Sequence, residues 1–215
     1  MIADRRRFEL AMARFDAANA EDPHRESVDG RERPKELVYA ERMSAMLARL
    51  APKASEALQL AARSQHIQRW KMPRANYSMD RIGYLQWRKR ANQFHARVAG
   101  DILREAGYDE AAIARVGALL KKEALKSDPE AQTLEDVVDL VFLESYLAGF
   151  VAAHGEYGAE KFLDILRKTA KKMSARGRAA ALTLIDVPPA LAPLVESVMA
   201  SPPQGGSAGA SSAQA

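Results

Sequence analysis

Cysteine is absent from this sequence. Disulfides, thiolate nucleophiles and cysteine zinc sites are thereby excluded, and the composition fits a reducing cytoplasm. Long apolar runs are missing as well: none approaches the ~20 residues of a membrane span. The opening MIADRRRFEL has basic residues with no apolar core after them, so no signal peptide is expected. The expectation is a soluble, cytoplasmic protein without a membrane partner. A strong charge excess is also lacking. Lys and Arg total 32 against 28 Asp and Glu, a formal +4, with a pI of about 9.3. A general nucleic-acid binder carries a larger and more segregated excess, whereas a small anionic ligand needs only a local patch. No Walker-type glycine loop, dinucleotide fingerprint, nucleophile elbow or Cys/His zinc array occurs.

What is present is helical periodicity. The chain has 215 residues, 47% hydrophobic and 28% charged, enough for one domain with a sizeable core. Leu10, Met12 and Phe15 open a short first helix, and the charged AEDPHRESVDGRERP reads as a loop. Pro34 sits at a preferred first-turn position. The next helix places Leu37, Ala40, Met43 (or Ser44) and Leu47 on one face until Pro52. A helix is expected over Ser55–Lys71, stopped by Pro73. Another runs from about Arg81 to Ala106, with Gly107 as its C-cap. Asp109 can N-cap the helix bearing Ile113, Val116, Leu119 and Leu120. Thr133 and Asp136 form a variant capping pair for LEDVVDLVFLESYLAGFV, which is apolar nearly all round and hence central. EKFLDILRKTAKKM is amphipathic, and Val187–Met199 is a weaker helix. No strand pattern stands out. The expected architecture is a single all-α domain over residues 1–200, a helical bundle. Residues 201–215 form a low-complexity tail expected to be disordered.

Three places could carry chemistry. In ARSQHIQRWKMPR, read as helix, Arg63, His66, Ile67 and Trp70 share one side, and Gln65 and Arg69 share an adjacent strip. Arginines there, with Arg74, would hold phosphate or carboxylate, and Trp70 would offer a stacking surface. The alternative is a helix end whose cations complement its dipole. His95 lies two turns after Trp87 and Arg88, and Ala96, Ala99 and Gly100 would let another helix approach; alone, it reads as a core histidine. Asp136 and Asp139 lie on the most hydrophobic helix, where a carboxylate needs a cation, a metal or several donors. Arg42, Arg63, His66 and His95 are candidate partners. Asp136 alone could instead be an N-cap. The basic run KKEALK, with Lys122, is either a solvated face or the mouth of the same pocket.

The blocks FDAANAEDP, PKELVYAERM, AARSQHIQRWKMPR, DRIGYLQWR, FHARVAGDIL and QTLEDVVDLVFLE together resemble an uncharacterised family, domain of unknown function 4202, from about Phe15 to Leu184. The order of elements is also similar, more loosely, to the HD superfamily of helical metal-dependent phosphohydrolases. By that resemblance Tyr39 stands where a first His is expected, Gln65 and His66 stand in the His-Asp pair, Asp136 keeps the late Asp, and His95 keeps a further His. Lys122 falls near another His position. The resemblance implies an HD-like fold and a site in which His66, His95 and Asp136 are catalytic. Tyr39, Arg42, Arg63, Gln65, Arg69, Trp70, Arg74 and Lys122 would be ligand-binding. A divalent metal (Mn, Mg or Fe) would sit on His66 and Asp136, although phenol and amide are poor substitutes for imidazole and carboxylate. The expected function is to bind or hydrolyse a small phosphorylated or anionic molecule. The rival is a non-catalytic RNA- or protein-binding module, a pseudoenzyme.

Overall fold

A computed structural model describes residues 2–125 and 127–201. The expected tail, from residue 202 on, and Lys126 lie outside the described residues. The chain is all-α apart from one small hairpin. Helix α1 spans Arg5–Ala20, α2 Lys35–Leu50, α3 Glu56–Arg63, α4 Arg81–Glu105 and α5 Glu110–Lys121. Helices α6 (Pro129–Val141) and α7 (Leu147–Ala153) flank a π-helical turn, Phe142–Tyr146. Then come α8 (Ala159–Lys172), α9 (Ala175–Thr183) and α10 (Ala192–Met199). No described helix is long and apolar enough to cross a membrane.

Side-chain caps start most of these helices. Asp4, Ser55, Asp80, Asp109, Asp128 and Ser174 each accept a backbone N–H of the first turn, satisfying donors with no intrahelical partner. Helix α6 is central and packs against α2, α3 and α9. Leu134, Val137 and Leu140 are fully buried on it, and so are Glu135, Asp136 and Asp139. Helix α5 lies along α4, where Gly100 admits Ile113: a Cβ there would stand 3.2 Å from its Cγ2.

Several expectations are corrected. Helix α1 buries Phe8, Ala11 and Phe15 and leaves Leu10 exposed. The loop after it contains strands β1 (Arg25–Val28) and β2 (Arg31–Pro34), antiparallel with Val28 opposite Arg31. Asp29 and Gly30, both at positive φ, make the two-residue turn, which is the Asp-Gly hairpin signal. Helix α6 begins at Pro129 under Asp128, so Thr133 and Asp136 do not cap it. The helix over Ser55–Lys71 ends at Arg63. There the Ser64 hydroxyl donates to the Leu60 carbonyl, and Gln68 turns left-handed with its N–H donated to the buried Asn19. Two 3-10 turns, Arg69–Lys71 and Arg74–Asn76, follow. The carbonyls freed by the break find donors on α4: His95 Nδ1–H donates to Ile67 O at 2.8 Å, and Trp87 Nε1–H to Met72 O at 2.8 Å.

Candidate functional site

The broken segment opens a cavity of about 640 Å³ between α2, α4, α6 with its π-turn, and α8. Each element contributes side chains at its own period. Helix α2 presents Glu36 and Tyr39, three residues apart. The turns after α3 present Gln65, His66 and Arg69. Helix α4 presents Trp87 and Arg88, α5 ends in Lys122, α6 presents Glu135 and Asp139, and α8 adds Lys172. The π-turn widens the last part of the helix so that Phe142 and Tyr146 both reach the wall, a device found often at functional sites.

The residues interlock. His66 stacks on Tyr39 with ring centroids 4.3 Å apart. Arg69 Nη1 donates to His66 Nε2 at 2.7 Å, so the ring's own proton sits on Nδ1, 3.9 Å from Glu36 Oε2. The Arg69 guanidinium also lies over the Trp87 ring at 4.9 Å, a cation–π arrangement. Opposite, Lys122 pairs with Glu135, and Lys172 pairs with Asp139 and stands 3.6 Å from Glu135. Among the described residues, neither Arg69 nor Arg88 forms an ion pair with a carboxylate.

Burial sets the protonation states. It raises the Glu36 carboxyl to about 7, against an opposing pull from Arg69. It raises Asp139 to about 6 despite Lys172. Burial alone would raise Glu135 too, but Lys122 and Lys172 hold it below the usual range. Burial, reinforced by Arg69, pushes His66 well below its ordinary value, and burial takes His95 to about 4. Both imidazoles are therefore neutral at pH 7. The wall carries Lys35, Arg69, Arg88, Lys122 and Lys172 against three acids, Glu36, Glu135 and Asp139, so its lining is net positive.

Among the described residues five buried side-chain atoms lack a hydrogen-bond partner: Arg7 Nε, Tyr39 OH, Gln65 Oε1, His95 Nε2 and Asp139 Oδ2. Tyr39, Gln65 and Asp139 line this cavity, and His95 stands directly behind His66, ring centroids 5.8 Å apart. Buried polar groups are normally satisfied, and three of these atoms line this one cavity.

Of the residues expected at a site, Tyr39, Gln65, His66, Arg69 and Lys122 come together here. His95 does not line the cavity; it holds the segment beneath His66. Asp136 faces away, its oxygens accepting from Ser174 N at 2.8 Å, Ser174 Oγ at 2.5 Å and Gln132 Nε2 at 3.1 Å. Arg63 forms a bidentate pair with Asp16, and Arg42 pairs with Glu26. Arg74 donates to the carbonyls of Tyr77 and Asp80. Trp70 sits in the first 3-10 turn, outside the cavity. Asp139, singled out with Asp136, lines the cavity, but its partner is Lys172 and none of Arg42, Arg63, His66 or His95; Glu36, Trp87, Arg88, Glu135 and Lys172 join the site as well. For Glu135 and Asp139 a signal existed: two acids at i and i+4 share one face of the most apolar helix. A second signal is charge segregation. Residues 57–100 contain nine Lys and Arg and one acid, Asp80, while the other 171 residues hold 23 cations against 27 acids.

The divalent metal implied by the HD resemblance does not fit these residues. Among the described residues no group of three His, Asp or Glu is placed to hold an ion. Asp136 is committed to Ser174, and the Nε2 lone pair of His66 meets a guanidinium.

A family model described as a domain of unknown function (DUF4202) matches residues 9–195. No curated protein and no solved structure matches the chain.

Proposed function

Because the chain belongs to that family, the domain of unknown function DUF4202, its function has to be sought in its own cavity, and we propose that this cavity binds a small phosphorylated or otherwise anionic molecule. The observation that carries the reading is the pair Arg69 and Arg88, two guanidinium groups without carboxylate partners among the described residues, in a wall ringed by unpartnered polar atoms. Guanidinium suits phosphate because its donors match two oxygens at once. The HD resemblance lends support in position: the sequence pair Gln65-His66, which stands at its His-Asp place, lines the cavity. Hydrolysis in the HD manner depends on a metal that these residues do not fit, so the site is read as a binding site, in the cytoplasmic setting the cysteine-free sequence suggests.

Thermal unfolding in the presence of inorganic phosphate and a panel of phosphate esters tests this. Wild-type protein should be stabilised by at least one of them, in proportion to ligand over Kd. Arg69→Gln and Arg88→Gln should each weaken that ligand about tenfold or more, because a charge-assisted pair is lost. No stabilisation across the panel overturns the reading.

A second reading, a non-catalytic RNA-binding module, is favoured by the basic tract of residues 57–100. RNA binding through that tract would weaken steeply with salt, which filter binding at two ionic strengths would reveal.

A further inference from the structure

Resting on the anion-binding reading above, we infer that the ligand is a phosphate ester of a hydroxyl-rich carrier, a sugar or polyol phosphate, and not an alkyl phosphate. The unpartnered atoms carry this. Asp139 gives Oδ1 to Lys172 and leaves Oδ2 bare, at 3% residue exposure. The Tyr39 hydroxyl and Gln65 Oε1 complete the set in the same lining. A phosphate ester dianion, its main form above a second pKa of about 6, is acceptor throughout. It answers Arg69 and Arg88, but it can give nothing to Asp139 Oδ2. The same ligand must therefore also bring donors.

The walls narrow which donors those are. Three rings of the lining already have one face taken. Arg69 lies over Trp87, Arg42 lies 5.0 Å over Tyr146, and His66 lies on Tyr39. An alkyl carrier would leave every orphaned acceptor unsatisfied, a cost that a site built for hydroxyls imposes on analogues lacking them. Hydroxyl groups both donate, to Asp139 and Gln65, and accept, from Tyr39. A cavity of about 640 Å³ has room for a sugar phosphate.

Isothermal titration of the full chain with inorganic phosphate, propyl phosphate, ribose 5-phosphate and glucose 6-phosphate decides it. One of the two sugar phosphates should bind about tenfold or more tightly than propyl phosphate. Tyr39→Phe keeps the ring stacked on His66 and removes only the hydroxyl, so the ratio of sugar to propyl phosphate should fall about threefold. Equal affinity for all four ligands overturns the inference and leaves the anion site standing, with water on the bare acceptors. A sugar preference undiminished in Tyr39→Phe also overturns it, since the hydroxyls would then be read elsewhere. If none of the four binds, the anion reading itself has failed.

Discussion

Glu36 brings a carboxyl group into a wall where little water reaches it, and this one residue ties the cavity to pH. Its folded value of about 7 lies above the ordinary 4.5, so the folded chain holds that proton more tightly than the unfolded chain. The stability it contributes is complete below pH 4.5 and is lost as pH rises towards 7. A gap of this size is worth about 3 kcal/mol over the whole window. His66 and His95 run the opposite way: their folded values are depressed, so their contribution is complete above 6.5 and is lost on acidification. Wild-type stability should therefore peak between the two trends. Glu36→Gln replaces the neutral carboxyl with a neutral amide and removes one trend. Thermal melts across pH 5 to 8 should show the variant more stable than wild type at pH 8, little changed at pH 5, and with its optimum moved upward. An unchanged profile would mean that Glu36 is hydrated and titrates normally.

At the level of elements, Asp136 is a capping group and not a ligand. Its carboxylate takes the N–H and the hydroxyl of Ser174, whose own oxygen accepts the N–H of Gly177 at the start of α9. Gly177 is required there, because a Cβ would stand 2.6 Å from the Asp136 carboxyl. Asp136→Ala and Gly177→Ala should each lower unfolding stability in urea by about 1–3 kcal/mol and leave phosphate-ester affinity within about twofold. Loss of binding at unchanged stability would return Asp136 to the site. The same contrast explains what could be read from sequence. The helices were legible because their signals are local: apolar periodicity, Pro34 where α2 begins, Gly107 after α4 and Asp109 as a cap. The Asp29-Gly30 hairpin was also local, but lay hidden in a charged segment with no apolar alternation. The helix break after Arg63 was not local. It is made by Asn19, His95 and Trp87, which take up the backbone groups that Ile67, Gln68 and Met72 no longer use in a helix. Treating that segment as helix set His66 on one side with Arg63 and Trp70 and Arg69 on the adjacent strip with Gln65, whereas the break joins His66 to Arg69 and leaves Arg63 and Trp70 outside the cavity.

On the scale of the whole molecule, charge is sorted far more than a net +4 suggests. Residues 57–100 carry +8 and the remainder −4, and the basic segment contributes Arg69 and Arg88 to the cavity. Under the proposed function, such a field would draw the anion towards the cavity before any contact forms, and mobile salt would weaken it over a Debye length of about 8 Å at physiological strength. Association and dissociation should therefore respond differently. Lys89 and Arg90 are exposed and lie outside the cavity, so they can act on a ligand only through the field. Replacing both by Glu should slow association of the tightest phosphate ester severalfold and leave dissociation nearly unchanged, in stopped-flow fluorescence that follows Trp87 beneath Arg69. Added salt should remove the difference between variant and wild type. Arg69→Gln should do the reverse, speeding dissociation more than it slows association, because it removes a contact. If the Lys89 and Arg90 variant also dissociates faster, the basic tract touches its ligand directly, as an RNA-binding face would.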